Sequence, residues 1–466
     1  MYFILSDLIG LRSWWLVPYA CYHKKLLYAS GLTKEEFEFL LKCDAKHDLE
    51  ENELSKKFLG EEMIFPCKEN EFELTEWQKY KSYNNRYMPA MNLMITGKCN
   101  YNCLHCFNAK DNAPLNSEWS YQEIIHLLDE AKECGIHGFT ITGGEPFIHK
   151  NFLDILKAIY ERNMYVFELN TNGFYINQEI LDEMKKINCR PLMKISFDGC
   201  GFHDWMRNCK GAEEKTIEAI KLCIKNGFNV KVQMNINKKN ESSILQSLEM
   251  LDSLGCYQTR IICTTESTRW KQNANGMSYS VKEYYDKTLA ILHEYIKKER
   301  NMSVDVWQFV TISVYTKTFM ITPVSCNGGP YRESRPLCQG NRGMMAIGAN
   351  GNVYPCLQMS GWMEANSYHL GNVKKDGLEK TLQDSTYMNE ICKTIKDMIS
   401  VNKKCGSCKY LTYCRGGCRA IAVLTSDGNS LESDPWKCYF FDNGYYDKCV
   451  EALTVNGYRN TTEISK

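Results

Sequence analysis

Three cysteines in one short loop are the residues of this sequence best suited to chemistry. Cys99, Cys103 and Cys106 follow the apolar run 91–96 with the spacing C-x3-C-x2-C. Thiolates this close together favour a soft metal site, and so tight a loop favours an iron–sulfur cluster over a disulfide. Three ligands for a four-iron cluster leave one iron able to bind a small molecule and pass it an electron. A zinc knuckle is the alternative interpretation.

A second field of cysteines lies toward the carboxyl terminus. Its seven members have the order Cys338-x12-Gly351-x4-Cys356, then C-x2-C-x5-C-x3-C from Cys405 to Cys418, then Cys438. Taken alone, the segment 405–418 also fits a zinc ribbon. The chain holds 23 cysteines in 466 residues, and nothing in it looks like a secretory signal. Thiolate-bound metal in a reduced cytoplasm therefore explains the cysteines better than disulfides do.

The elements that position the first loop form a repeating pattern. From residue 91 onward, short apolar strands alternate with helical stretches, which predicts parallel strands joined by crossover helices in a barrel or part of one. The first helix is well marked, since Ser120 and Glu123 form a capping box and Gly135 ends it. The predicted strands are 92–96, 138–142, 165–170, 192–197, 229–236 and 260–263. The predicted helices are 121–134, 151–162, 178–187, 213–225 and 243–254.

Two glycines and a carboxylate follow the second predicted strand. Gly143 and Gly144 allow the backbone to approach a ligand closely, and Glu145 adds a carboxylate acceptor at the same edge. The chemistry of such barrels lies at the carboxyl ends of the strands, so this motif is expected beside the cysteine loop. In isolation, Gly-Gly-Glu-Pro would be an ordinary turn.

Polar residues also end the next three strands. Asn172 follows the third strand, where it can hold a carboxylate or a ribose. Ser196 and Asp198 end the fourth strand on one face by strand alternation, so both can reach one ligand. Arg207 follows them and offers a fork of donors that suits a carboxylate, and Asn235 ends the fifth strand. The plain alternatives are a turn role for Asp198 and a surface position for Arg207.

These residues resemble the radical S-adenosylmethionine (SAM) family. The resemblance rests on the cysteine spacing, on the aromatic Phe107 after the last cysteine, and on Gly-Gly-Glu-Pro after the second strand. It implies an α/β fold with a partial (β/α)6 barrel of the TIM type, in which the three cysteines hold a [4Fe-4S] cluster. It also implies that the glycine motif binds the amino group of SAM and that Arg207 pairs with its carboxylate. Ser196 and Asp198 would contact the ribose, and Asn235 would line the adenosine pocket.

The carboxyl-terminal cysteines resemble the SPASM extension of radical SAM maturases, which binds two auxiliary [4Fe-4S] clusters. With the barrel, the resemblance covers roughly residues 88–440. It implies one cluster with the ligands Cys405, Cys408, Cys414 and Cys438. It implies a second cluster with the ligands Cys338, Cys356 and Cys418, and with Cys326 as the fourth. The gap from residue 326 to 338 is long for the family, so an open iron is the alternative at this cluster.

Residues 1–85 have the pattern of a separate module. Strands are predicted at 2–5 and 25–28, helices at 35–43 and 50–59, and a further strand at 62–65. This order is compatible with a winged helix, a shape with which peptide-modifying radical SAM enzymes capture a leader peptide as an added edge strand. A structural cap on the barrel is the alternative. The predicted domains are 1–85 winged-helix-like, 88–300 radical SAM barrel, 301–325 connecting segment, 326–450 SPASM and 451–466 tail.

The composition of the chain limits the classes of partner that it is expected to bind. Hydrophobic residues make up 44% of the chain and charged residues 24%, as in a globular protein, and the length predicts two or three domains. The formal net charge is zero and no basic tract is present, which argues against nucleic acid and anionic membranes as partners. The apolar stretches near the amino terminus fall short of the roughly 20 residues that a membrane span needs. A cytoplasmic protein is therefore predicted.

The resemblance implies an enzyme that cleaves SAM with an electron from an external low-potential donor such as flavodoxin or ferredoxin. The 5′-deoxyadenosyl radical would remove hydrogen from a ribosomally made precursor peptide, with thioether cross-linking as the leading reaction. Carbon–carbon or carbon–oxygen cross-linking, epimerisation and sulfatase maturation are alternatives, although Leu357 stands where sulfatase maturases carry an Asp. From other classes, an iron–sulfur electron carrier or scaffold would not need the motif 143–145, Ser196 or Asp198, and a zinc-dependent peptide-binding module would hold zinc.

Overall fold

Three sheets organise the chain, which a computed structural model describes over residues 1–24, 28–108, 117–264, 267–321, 331–338 and 343–461. Two small sheets lie in the amino-terminal part, and a third sheet of twelve strands runs through the rest. Within these ranges, none of the helices combines the length and the apolarity that crossing a bilayer requires.

The amino-terminal module contains six short strands and two helices. The strands are β1 (Tyr2–Leu5), β2 (Ile9–Trp14), β3 (Val17–His23), β4 (Tyr28–Gly31), β5 (Ile64–Cys67) and β6 (Lys81–Ser82), and the helices are α1 (Lys34–Leu41) and α2 (Glu53–Gly60). Strands β1 and β5 pair antiparallel, whereas β2, β3 and β4 form an antiparallel meander that β6 extends beside β2. Phe3, Leu11, Phe39 and Phe58 lie in a core that belongs to this module alone.

The module confirms some of the predicted elements and adds a hairpin. Helix α1 is present as predicted, with Thr33 and Glu36 forming a capping box at its start, and a strand follows α2 as expected. The hairpin of β2 and β3 was not predicted, because Arg12 interrupts its apolar pattern. Arg12 is buried nevertheless, and its guanidinium donates to the carbonyls of Trp77 (2.8 Å) and Lys79 (3.0 Å). Of the predicted strand 25–28, residues 25–27 lie outside the described residues.

Six parallel strands form the centre of the main sheet, and all six predicted strands are confirmed to within two residues. They are β7 (Ala90–Thr96), β8 (Gly138–Gly143), β9 (Tyr165–Thr171), β10 (Leu192–Ser196), β11 (Val230–Ile236) and β12 (Gln258–Cys263). Each is hydrogen-bonded to the next in chain order. The crossover helices are α3 (Tyr121–Glu133), α4 (Phe152–Glu161), α5 (Gln178–Lys186), α6 (His203–Arg207), α7 (Ala212–Lys225) and α8 (Ile244–Leu254). The α/β fold with a partial barrel is confirmed.

Additional strands continue the sheet at both sides, so β7 and β12 do not pair with each other. Beyond β12 lie β13 (Ser303–Val306), β14 (Val310–Ser313) and β15 (Thr318–Ile321), after the helices α9 (Thr268–Asn273) and α10 (Val281–Ile296). Beyond β7 lie β16 (Met344–Ile347) and β17 (Val353–Tyr354), while β18 (Arg459–Asn460) pairs with β15.

Short helices make up most of the carboxyl-terminal part. They are α11 (Leu357–Ala365), α12 (Val373–Asp376), α13 (Leu378–Thr381), α14 (Thr386–Ile391), α15 (Ile395–Val401), α16 (Lys403–Gly406), α17 (Leu411–Cys414), α18 (Arg419–Thr425), α19 (Pro435–Asp442) and α20 (Tyr445–Val455). Two 3-10 turns, Pro146–Ile148 and Glu241–Ser243, lie in the barrel. Cys405, Cys414 and Cys438 lie within these short helices, whereas Cys356, Cys408 and Cys418 lie in the segments between them.

The two faces of the parallel strands differ in polarity. One face is apolar and packs with the helices in the largest core, through residues such as Leu93, Ile141, Ile195 and Val232. The alternate residues, which point away from that core, include Asn170, Lys194, Lys231 and Arg260, and these are half-buried. A polar face on the side away from the helices is suited to bind a ligand rather than to pack.

Candidate active site

The three loop cysteines lie close together beyond the end of β7. The Tyr101 amide donates to Sγ of Cys99 at 3.4 Å. The pKa of the Cys99 thiol is raised to about 11 and that of the Cys106 thiol to about 12, chiefly by desolvation, and the neighbouring Cys103 contributes to both shifts. Since each thiol affects the next, the three sulfurs occupy one small region, as the sequence predicted.

Three thiolates in one loop are the donor set expected of an iron–sulfur cluster. In the described parts of the chain, no group of three His, Cys, Asp or Glu side chains is placed to hold one metal ion. The irons of a cluster are separate, so its thiolates need not converge on one point, and thiolate is the usual ligand of such clusters. Because these thiols must lose their protons to bind metal, and desolvation disfavours their free thiolates, cluster binding is coupled to the release of protons.

The glycine motif is packed directly against the cysteine loop. The Gly144 amide donates to the Thr96 carbonyl at 2.7 Å, and the Glu145 amide donates to the Lys98 carbonyl at 2.8 Å. A Cβ atom on Gly144 would lie 2.2 Å from the Lys98 carbonyl oxygen, and one on Gly143 would lie 2.4 Å from that of Thr96. The close approach that these glycines permit is therefore an approach of two backbone segments, which fixes Glu145 beside the cysteines.

Glu145 is a fully buried carboxylate. Its oxygens accept from the Thr171 hydroxyl (2.8 Å), the Asn172 amide (2.8 Å) and, more weakly, the Phe147 amide (3.4 Å). Burial nevertheless raises the pKa of Glu145 to about 7. No lysine or arginine of the described residues forms an ion pair with it, so an ammonium group of a ligand would supply the missing charge.

Asp198 and Arg207 form a buried ion pair next to Cys103. Nη2 of Arg207 lies 2.8 Å from Oδ2 of Asp198, and its Nη1 donates to Sγ of Cys103 at 3.7 Å. Burial alone would raise the pKa of Asp198, but the guanidinium and His203 hold it well below its usual range. Arg207 is therefore not a surface cation, and binding a ligand's carboxylate cannot be its only role. It connects the cysteine loop to the end of the fourth strand.

Several residues around this ion pair were not predicted from the sequence. His203 accepts from the Asp198 amide through Nδ1 at 3.0 Å, and Asn240 donates to the carbonyls of Asp198 (2.8 Å) and Asn235 (2.7 Å). The backbone amide of Asn235 in turn donates to Oδ1 of Asp198 at 3.0 Å. The sequence signal for this network is modest: three asparagines within residues 235–240.

The other predicted SAM contacts lie around the same rim. Asn172 donates to Oδ1 of Asn100 at 2.8 Å and lies 3.9 Å from Sγ of Cys99. Asn235 contacts His105 (3.1 Å), and Ser196 is half-buried at the end of β10. The buried polar atoms here that have no hydrogen-bond partner among the described residues include Arg207 Nε, His105 Nδ1 and Tyr101 Oη. Unpaired buried donors and acceptors fit a polar ligand that would satisfy them.

The carboxyl-terminal cysteines separate into the two predicted groups. In the first group, burial raises the pKa of the Cys356 and Cys418 thiols; Cys338 raises that of Cys356 further, and Cys356 and Cys338 both raise that of Cys418. In the second group, burial again acts first, Cys438 and Cys408 add to the rise in the pKa of Cys405, and Cys438 adds to that of Cys414. Each group consequently holds its thiols near one another. Cys326 lies outside the described residues, so the fourth ligand of the first group stays a prediction.

Glu145 gives a prediction for the pH dependence of stability. Its carboxyl has a pKa raised from 4.5 to about 7, so the folded state loses stability as pH rises through that interval. Without SAM, Glu145→Gln is expected to equal wild type near pH 4.5 and to exceed it by about 3 kcal/mol at pH 8. The measurement is urea unfolding of both proteins at a series of pH values.

A second carboxylate provides the control for this experiment. Although partial burial opposes it, hydrogen bonds from Ser120 hold the pKa of Glu123 below its ordinary value. Glu123→Gln should therefore lose stability relative to wild type as pH rises, the opposite sign. A pH-independent difference between Glu145→Gln and wild type would contradict the assignment of Glu145 as a buried, uncompensated carboxylate.

Comparison with known proteins agrees with this geometry. Residues 93–251 match the radical SAM superfamily, and residues 338–409 match an iron–sulfur cluster-binding domain named SPASM. The AdoMet-dependent heme synthase of Methanosarcina barkeri is 24% identical over 351 residues, covering 74% of this chain and 95% of that enzyme. The PqqA peptide cyclase of Granulibacter bethesdensis is 24% identical over 272 residues, covering 58% of this chain and 68% of that enzyme.

A solved structure resembles nearly the whole fold. The crystal structure of Streptococcus suis SuiB bound to the precursor peptide SuiA aligns with a TM-score of 0.64 and 16% identity, covering 93% of this chain and 98% of SuiB. The part of this chain left uncovered is smaller than the amino-terminal module, so the likeness in fold includes at least part of that module.

Proposed function

Because this chain is an enzyme that joins a radical SAM domain to an iron–sulfur SPASM domain, we propose that it modifies a ribosomally made precursor peptide. The observation that carries the peptide substrate is the amino-terminal module, with its own core and an open strand edge. The chain would work in the cytoplasm, where thiolate ligands stay reduced. An external low-potential donor such as flavodoxin or ferredoxin would supply the electrons.

The rim residues take defined roles in this proposal. Cys99, Cys103 and Cys106 hold a [4Fe-4S] cluster, which together with SAM supplies the 5′-deoxyadenosyl radical that removes a hydrogen from the substrate. Glu145 binds the amino group of SAM, since it is a buried carboxylate without a cation. Arg207 offers its unpaired Nε to the SAM carboxylate while its Nη2 stays on Asp198.

The adenosine side of SAM would lie toward the fourth and fifth strands. Ser196 and Asp198 are proposed to reach the ribose, and Asn235 the adenosine pocket, because these side chains lie along the same rim as Glu145. Asp198 already accepts from the backbone and the side chain of Asn235. A ribose hydroxyl would therefore add to an organised network rather than create one. Asn172 would stand between Glu145 and the cysteine loop.

The open edge of β4 supports capture of a leader peptide. The Leu32 amide donates to the Tyr19 carbonyl at 2.9 Å, which fixes the pairing of β4 with β3. In an antiparallel pair the alternate residues point outward, so Ala29 and Gly31 direct their amides and carbonyls away from β3. No strand of the described residues pairs with that edge. An extended leader could therefore add there as a fourth strand of the meander.

Gly31→Pro is expected to weaken leader binding at least about tenfold, because it removes one outward amide and leaves the bonds to β3 intact. The probe is a fluorescently labelled leader segment of a candidate precursor peptide, and its binding is measured by fluorescence polarisation. Gly31→Ala is the matched control, since a Cβ atom at this position meets no atom within 4 Å. Equal binding by all three proteins would contradict capture at the β4 edge.

A tetrapyrrole is the second candidate substrate, because the heme synthase relative is covered over 95% of its length. The two substrates differ in whether they need the β4 edge of the amino-terminal module: the precursor peptide would need it, and the tetrapyrrole would not. A precursor peptide would increase 5′-deoxyadenosine formation in the wild-type protein more than in Gly31→Pro. Coproporphyrin III, a tetrapyrrole probe, would act equally on both.

For the bond that is formed, thioether cross-linking is the leading proposal. The auxiliary cysteine groups can hold two clusters that take up the product electron or bind the substrate. Carbon–carbon and carbon–oxygen cross-links and epimerisation use the same radical and differ in the step after hydrogen removal. The mass of the product peptide distinguishes a cross-link, which removes two hydrogens, from epimerisation, which leaves the mass unchanged. Fragmentation of the peptide identifies the linked residues and so distinguishes the three kinds of cross-link.

A further inference from the structure

A row of five charged side chains crosses the polar face of the sheet below the rim. We call it the charged row, and its members come from five adjacent strands, β9 to β13: Glu168, Lys194, Lys231, Arg260 and Asp305. Their side chains are between 14% and 29% exposed, so they are partly shielded from solvent but can still be reached. The predicted SAM site uses none of them.

The charges of this row do not balance. Lys194 pairs with Glu168 at 3.1 Å, whereas Asp305 is shared by Arg260 at 3.4 Å and Lys231 at 3.9 Å. Three cations therefore face two carboxylates. Lys194 also stands directly opposite Lys231 in the parallel pair of β10 and β11, an arrangement of like charges that destabilises a sheet.

Two further observations show that the row lacks a partner. Nε of Arg260 is buried, and although it lies 3.4 Å from Asp305 it makes no hydrogen bond with any described residue. Burial lowers the pKa of Lys231 to about 8; Asp305 and Glu168 oppose this shift, whereas Lys194 and Arg260 add to it. An added negative charge could accept a hydrogen bond from Nε of Arg260 and would favour the charged form of Lys231.

The row lies close to the proposed site of radical formation. Lys194 precedes Ser196 by two residues on β10 and points to the same face. Two residues along a strand correspond to about 7 Å, roughly the length of an extended side chain. A substrate residue held at the row would therefore place its neighbouring carbons near the rim.

We propose that the charged row binds a carboxylate of the substrate, supplied by an Asp or Glu side chain of the peptide segment that enters the barrel. A guanidinium fork matches the two oxygens of a carboxylate, and Arg260 has a donor to offer. Lys231 contributes a second charge from the neighbouring strand. This inference rests on the proposed function, because it names an acidic residue within the peptide substrate.

The experiment compares two capped pentapeptides, Ac-Ala-Ala-Glu-Ala-Ala-NH2 and the same peptide with Gln at the centre. Each is titrated at millimolar concentration into anaerobic, reconstituted enzyme with SAM, and binding is followed by saturation-transfer NMR. The Glu peptide is expected to bind at least tenfold more tightly than the Gln peptide. Arg260→Gln and Lys231→Gln should abolish this difference. Arg260→Lys, which keeps the charge without the fork, should keep part of it.

Lys282→Gln is the matched control, because Lys282 is an exposed cation on α10, outside the row. Equal binding of the two peptides, no binding of either, or an unchanged preference in Arg260→Gln would overturn the inference. Binding of coproporphyrin III that depends on Arg260, without binding of the Glu peptide, would overturn the peptide as the source of the carboxylate. Formation of 5′-deoxyadenosine without any peptide tests the radical chemistry separately, so failure of one proposal is distinguishable from failure of the other.

Discussion

Cys99→Ala is expected to reduce 5′-deoxyadenosine formation to the level of a protein-free blank. The substitution removes one of three thiolates that must hold a cluster with an open iron, and Glu145 or Asp198 cannot replace a thiolate in that position. Iron content should fall from about twelve to about eight atoms per chain, because the two auxiliary clusters would remain. The assay is anaerobic incubation of reconstituted protein with SAM and a low-potential reductant, followed by mass spectrometry.

Cys209 provides a matched control for Cys99. It packs in the same small buried cluster as Tyr101, Cys103 and Cys106, but it lies outside the C-x3-C-x2-C motif. Cys209→Ala should therefore keep both its iron and its activity. If the wild-type protein, fully loaded with iron, forms no 5′-deoxyadenosine, the electron-carrier alternative replaces the proposed chemistry. If Cys99→Ala and wild type are equally active, the assignment of the loop fails.

The parallel core of the fold could be predicted because its signals are local. Each of the six strands is a short apolar run, and the first helix has a cap that is visible in the sequence, Ser120 with Glu123. The amino-terminal hairpin could not be predicted in this way. Its strand β2 carries Arg12, whose burial depends on the carbonyls of Trp77 and Lys79, more than 60 residues away. A buried charge whose hydrogen-bond partners lie far away in the chain leaves no pattern in the sequence around it.

The candidate site, too, has a part that could be predicted from the sequence and a part that could not. The cysteines, the glycine motif and Asp198 could be named from spacing, because they follow strand ends that meet at one rim. The residues that contact them could not be named in this way. These partners follow from contacts between separate loops. Arg207 pairs with Asp198, and His203 and Asn240 hold the backbone of Asp198. Gly144 packs on the Lys98 carbonyl. The charged row was missed because each strand contributes a single charge, which looks like a surface residue in isolation.

Asp198→Asn is expected to destabilise the protein by about 3–5 kcal/mol and to abolish SAM cleavage. The side chain keeps its shape, but the buried Arg207 loses its carboxylate and remains an uncompensated charge beside Cys103. The surface pair of Lys186 and Glu183 gives the comparison, since removing an exposed partner with Glu183→Gln should change stability by less than about 1 kcal/mol. Urea unfolding of the three proteins measures the difference.

The double variant Asp198→Leu/Arg207→Met separates stability from chemistry. Replacing both members of a buried pair with apolar side chains removes the uncompensated charge, so most of the lost stability should return. SAM cleavage should not return, because the proposed ribose contact and the proposed donor to the SAM carboxylate are both gone. Recovery of stability together with activity would mean that the pair only supports the fold. Recovery of stability without activity would show that the buried charges are needed for binding SAM and not only for the fold.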